Sequence, residues 1–183
     1  MPVEDVFTIS GRGTIVTGVV ERGTVRVGDV VEFVGFSEAP LRTTVIALES
    51  FRTALRDAKK GDQVGIVVSG VDKSRISRGM VLAAPGTLKT FSEFKATLYL
   101  YPKSEGGRST PVQTGYRPQL GIRMANMSAE IIFSTDRKEL RPGDSTVVTV
   151  RLLQPVALEA RQEFTVREGG RTVGRGRVAK LQK

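Results

Sequence analysis

The chain has 183 residues, enough to bury a sizeable core, and no apolar run approaches the roughly 20 residues that a membrane-spanning helix needs. It contains no cysteine and no histidine, which excludes disulfides, thiolate metal sites and any Ser-His or Cys-His catalytic pair. Lysine and arginine outnumber aspartate and glutamate by 28 to 19, a formal charge of +9, and an excess of that sign fits an anionic partner, RNA first.

The N-terminal residues Met1-Pro2-Val3-Glu4-Asp5 lack the basic and apolar parts of a secretory leader. With no cysteine, a soluble, cytoplasmic protein without a membrane partner is expected. Residues 6–10 and 14–20 are rich in β-branched side chains and flank Gly11-Arg12-Gly13. That pattern predicts a hairpin opening a β-barrel, because glycines at the tip supply the positive φ of a tight turn. Arg12 reads as an exposed tip. Three Gly-Asp pairs follow, Gly28-Asp29, Gly61-Asp62 and Gly143-Asp144, each ahead of a β-branched run at 30–33, 64–68 or 145–150. They read as turns entering strands, not as catalytic aspartates. Residues 50–58 and 73–78 have room for a helical turn each.

Ala84-Pro85-Gly86-Thr87 interrupts the strand pattern. It divides the chain into expected domains of residues 1–87 and 88–183. In the second, strands are expected at 91–101, 117–123, 127–133, 145–152, 161–167 and 172–181. A polar, basic loop of functional or mobile character fills 102–116. Gly169-Gly170 suits a two-residue hairpin turn. Beyond it Arg171, Val173, Arg175 and Arg177 recur at period two, which predicts one shared face. Such a stripe serves either to bind phosphates or to guard an edge strand with charge. The fold class is all-β. No glycine-rich loop ending in Gly-Lys-Ser/Thr is present, and Glu4-Asp5 has no catalytic context, so neither a nucleotide site nor catalysis is expected.

Several blocks together carry a resemblance: Gly11-Arg12-Gly13-Thr14, Glu21-Arg22-Gly23, Glu105-Gly106-Gly107-Arg108, Gly115-Tyr116-Arg117-Pro118-Gln119 and Glu168-Gly169-Gly170-Arg171-Thr172-Val173-Gly174. In order and in register, they resemble domains 2 and 3 of bacterial or organellar elongation factor Tu. The resemblance implies two consecutive six-stranded antiparallel β-barrels that hold aminoacyl-tRNA. It places Glu4, Asp5, Phe7 and Thr17 beside the aminoacyl group, and Ile9, Gly11, Ile15, Glu49 and Val67 around the terminal adenosine. Backbone groups of Phe51, Arg52 and Gln63 would meet the ester. Arg108, Gln119, Glu168, Gly169 and Arg171 would follow the T-stem. The family's GTPase domain, with its GTP and Mg2+, would lie before Met1, so no cofactor, metal ligand or catalytic residue is expected within this chain. Implied partners are aminoacyl-tRNA, the ribosome, a nucleotide exchange factor and that GTPase domain.

The chain departs from the family pattern at Ser50-Phe51-Arg52, Gln63 and Ser109, through residues 120–127, and at Arg175 and Arg177, which points to a divergent paralogue. A barrel pair that docks a GTPase domain or exchange factor without tRNA is the alternative. Membership in a sulfate-activating complex is disfavoured by the Gly-Tyr-Arg-Pro-Gln block.

Overall fold

In a computed structural model describing residues 1–182, the short β-branched runs become seventeen strands, with single 3₁₀ turns at Lys73–Arg75 and Lys103–Glu105. They fall into two units, Met1–Lys89 and the residues from Thr90 onward.

The first unit holds β1 (Asp5–Ile9), β2 (Gly13–Val19), β3 (Thr24–Arg26), β4 (Val30–Val34), β5 (Leu41–Ser50), β6 (Thr53–Leu55), β7 (Asp57–Lys59), β8 (Gln63–Val68) and β9 (Val81–Ala83). Its main sheet runs β1-β2-β8-β5-β4-β9, with β6 added to β5, while β3 and β7 pair separately. The two edges meet through the first residues: Val3 N donates to Met80 O and Leu82 N to Met1 O, both at 2.9 Å. Gly18 permits this closure, since a Cβ there would lie 2.3 Å from the Pro2 carbonyl oxygen. Strand alternation sends Val16, Phe33, Val45, Leu48, Ile66 and Val68 into one buried cluster.

Residues 50–58 are not helical. They close the β5–β6 hairpin, in which Ser50 pairs with Thr53 across a turn of Phe51 and Arg52, and then enter β7. Both turn residues have positive φ, 49° and 65°, as a two-residue hairpin of this hand requires. No glycine announces it. The turn at Lys73–Arg75 does form, with the Asp72 carboxylate accepting from Ser74 N at 2.8 Å.

The second unit holds β10 (Lys89–Leu100), β11 (Val112–Gln113), β12 (Gln119–Ile122), β13 (Ala125–Ile132), β14 (Glu139–Leu140), β15 (Ser145–Leu158), β16 (Glu163–Glu168) and β17 (Arg171–Leu181). Six of them close a barrel in the order β10-β15-β13-β12-β16-β17. Phe164 packs edge-on against Phe94, with ring centroids 5.8 Å apart. Gly176 makes room for it, because a Cβ there would sit 2.2 Å from Phe164 Cζ.

Two expectations for this unit change. The stretch 102–116 is pinned rather than loose: it contains a 3₁₀ turn and β11, and Arg108 N donates to Tyr101 O at 3.0 Å. The arginine stripe is broken. Arg167 pairs with Thr172 but Val166 with Gly174, leaving Val173 as an extra residue in β17. This bulge turns Val173 into the core, fully buried, while Arg171, Arg175 and Arg177 stay outside. β17 also pairs on both sides, so it is no edge strand in need of protecting charge.

Candidate nucleic-acid interface

The site begins with the same alternation that fills the first core. Val16, Leu48, Val64, Ile66 and Val68 point inward, so their neighbours along β2, β5 and β8 take the opposite face. Register then lines those neighbours up in rows. Phe7 pairs with Ile15, Ile15 with Val67 and Val67 with Ala47. In the next row Asp5 pairs with Thr17, Thr17 with Gly65 and Gly65 with Glu49. Ile15 and Val67 are buried yet stand apart from the main core cluster, in the row that faces away from it. Above that row opens a pocket of ≈ 190 Å³ lined by Phe7, Ile15, Thr17, Glu49, Ser50, Phe51, Arg52, Gln63, Val64 and Gly65.

Gly65 keeps the pocket open. A Cβ at this position would come within 3.4 Å of Glu49 Cγ and 3.6 Å of Ile15 Cγ2. At one end stands the Glu49 carboxylate. Its Oε2 accepts from Arg12 Nη2 at 2.8 Å, while its Oε1 has no partner among the described residues. At the other end Gln63 Nε2 donates to Glu4 Oε2 at 3.2 Å, and Ser50 Oγ donates to the Gln63 carbonyl at 2.6 Å. Asp5 is spent locally, its Oδ1 accepting from Val6 N at 2.9 Å.

The Phe51-Arg52 turn overhangs this pocket. Left-handed backbone at a non-glycine residue costs about 1–2 kcal/mol, and Phe51 is 90% exposed, so burial does not offset that cost. Strain retained at a rim beside a pocket is the pattern of a functional turn.

Of the residues named from sequence, Phe7, Ile15, Thr17, Glu49, Phe51, Arg52 and Gln63 line the pocket together. Glu4 reaches its rim through Gln63, and Val67 lies in the row beneath. Ile9 and Gly11 sit toward the hairpin tip and do not line it. Arg12 is the exposed tip expected, and its guanidinium also pairs with the pocket carboxylate. Ser50, Val64 and Gly65 were missed. For Gly65 a signal existed, since a glycine inside a β-branched strand often marks close approach of a ligand.

In the second unit, Glu168 Oε1 accepts from both Arg108 Nη1 and the Tyr116 hydroxyl. The Arg108 guanidinium also lies 5.5 Å from the Tyr116 ring centroid and donates to Thr110 O and Oγ1 at 3.2 and 3.1 Å. Burial, then the hydrogen bond that the phenol donates to Glu168 and the charge of that carboxylate, push the Tyr116 phenol well above its ordinary 10.0. The cluster fixes the base of the hairpin that Gly169 and Gly170 close at φ 52° and 80°. Gln119 pairs with Arg167 in the adjacent row and donates to Ser128 Oγ at 3.0 Å. Arg108 is thus largely engaged within the protein. Arg171 is exposed and has no partner among the described residues. Arg175 lies over the Tyr99 ring at 5.3 Å, and Arg177 pairs with Glu163 at 2.6 Å.

Charge is divided unevenly. Residues 1–89 carry 12 Lys and Arg against 10 Asp and Glu, whereas residues 90–183 carry 16 against 9. Among the described residues no cluster of His, Cys, Asp or Glu could hold a metal ion, and no helix is long and apolar enough to cross a membrane.

Compared with known families, residues 13–83 match the one described as Elongation factor Tu domain 2. Residues 87–182, more than half the chain, match Elongation factor Tu C-terminal domain. The pocket walls on β2, β5 and β8 fall inside the first match, and β1 precedes it.

Proposed function

Because the chain belongs to the elongation factor Tu family, carrying its domain 2 and C-terminal domain in order, we propose that it is the aminoacyl-tRNA-holding part of a translation factor of that kind. The pocket of the first unit takes the aminoacylated 3′-terminal adenosine, and the second unit follows the T-stem. GTP, Mg2+ and the exchange factor belong to the partner GTPase domain, delivery is to the ribosome, and these residues carry no catalysis of their own.

One observation carries the reading. The outer-face pocket joins an apolar floor, a backbone-deep gap at Gly65 and a carboxylate oxygen with no partner among the described residues. An apolar floor suits a base, and a carboxylate oxygen suits a ribose hydroxyl, the group that marks RNA. The basic excess of the second unit supports sequence-tolerant contact with phosphates, which a carrier of many tRNAs needs.

Titration of the chain with aminoacyl-tRNA and with deacylated tRNA at two salt concentrations tests this. The charged form is expected to bind more tightly, with both affinities falling steeply as salt rises. Absence of binding at low salt overturns it. The engagement of Arg108 with Glu168 and Thr110 favours a second reading, a barrel pair that docks a protein partner. Glu49→Gln and Arg171→Ala separate the two: weakened tRNA binding by folded variants supports the first, and unchanged binding the second.

A further inference from the structure

We propose that Arg12 is a positioning residue for the pocket carboxylate: by holding Glu49 Oε2 it aims Oε1 at a ribose hydroxyl, and so sets the pocket's preference for a ribonucleotide terminus. The inference rests on the reading of the pocket as a 3′-end site and adds to it a residue outside the pocket wall.

The geometry is specific. Arg12 stands at the tip of the β1–β2 hairpin between Gly11 at φ 78° and Gly13 at φ 101°, and its N–H closes the turn onto Ile9 O at 3.0 Å. That tip is otherwise open, and a Cβ on Gly11 would meet nothing within 4 Å. The guanidinium nevertheless crosses to the end of β5 and takes a single oxygen of Glu49 at 2.8 Å. Glu49 stands directly opposite Gly65, where the missing side chain leaves the floor clear. Its other oxygen has no partner among the described residues.

Stability does not explain such a pair. Both side chains are partly exposed, 43% for Arg12 and 29% for Glu49, and ion pairs of that kind contribute roughly 0–1 kcal/mol. What the contact does supply is direction. A glutamate on a surface strand rotates through several rotamers, and a charge-assisted hydrogen bond at 2.8 Å on one of its oxygens narrows that choice. An acceptor held in place discriminates a hydroxyl from a hydrogen more sharply than a mobile one, because less ordering remains to be done on binding. Lysine at position 12 would keep the charge and lose the fixed planar direction of the guanidinium N–H.

The test uses the full chain and two probes: aminoacyl-tRNA ending in adenosine, and the same tRNA ending in 2′-deoxyadenosine with its amino acid on the 3′ oxygen. The readout is the ratio of the two affinities. Wild type is expected to favour the ribose terminus by about tenfold, the worth of one hydrogen bond to a charged acceptor. Glu49→Gln and Arg12→Gln should each bring the ratio close to one, the double variant no further, and Arg12→Lys should restore part of it. The salt dependence of binding should be the same for Arg12→Gln and wild type. A ratio lost in Glu49→Gln but kept in Arg12→Gln overturns the role of Arg12 and leaves the pocket reading standing. So does a salt slope reduced by about one in Arg12→Gln, which marks a direct phosphate contact. A wild type without preference overturns both.

Discussion

At the scale of single residues, absent methyl groups mark both the pocket and the core, with opposite consequences. A Cβ at Gly65 would meet Glu49 Cγ at 3.4 Å and Ile15 Cγ2 at 3.6 Å, ordinary contact distances. Gly65→Ala is expected to change stability by less than about 1 kcal/mol while weakening aminoacyl-tRNA binding severalfold, which thermal unfolding beside titration will show. At Gly176 the same methyl would fall 2.2 Å from a ring carbon of Phe164. Gly176→Ala is expected to cost about 1–3 kcal/mol through overpacking and to lower the unfolding midpoint. Tyr116 permits a third test. Its phenol is held protonated above 10.0 in the folded chain, by burial first and then by Glu168. The stability this provides is complete below the unfolded value near pH 10 and drains away as pH rises past it. An alkaline absorbance titration should show a late phenol ionisation, and Tyr116→Phe should abolish that late step.

Elements show where sequence stops speaking. The all-β character and most strand runs are legible, because β-branched stretches cut by glycine carry their signal locally. Register is not local. Val173 reads as a member of the arginine face until one extra residue in β17 rotates it inward. The β5–β6 turn is illegible for another reason: its two central positions need positive φ, and Phe51 and Arg52 are poor residues for it. The pocket residues are legible through family motifs; Arg12 stands in one of them and Gly65 carries the local signal of a glycine inside a strand, but only pairing places both beside Glu49. If the turn keeps its strain for binding, replacing Phe51-Arg52 by Asn-Gly should stabilise the first unit by about 1–2 kcal/mol and weaken tRNA binding. Unchanged binding in the stabilised variant would place the turn outside the site.

At the scale of the whole molecule, charge and chain order matter most. The excess of cations from residue 90 onward predicts that salt dependence of RNA binding arises chiefly there. Arg171→Ala should lower the salt slope by about one without altering the ratio between ribose and deoxyribose ends. Chain order bears on synthesis. Each sheet is completed by stretches far apart in its own unit, Pro2 with Val81 and Phe94 with Leu181. At about 5–20 residues per second, β10 waits roughly 4–17 seconds for β17 to be made. The first unit passes through a similar interval and has its closing partner before β17 exists. Throughout the second interval β10 offers a bare strand edge, the usual template for misassociation. The hazard this chain presents to a cell is therefore a delay written into its topology, which a more stable finished barrel would not shorten.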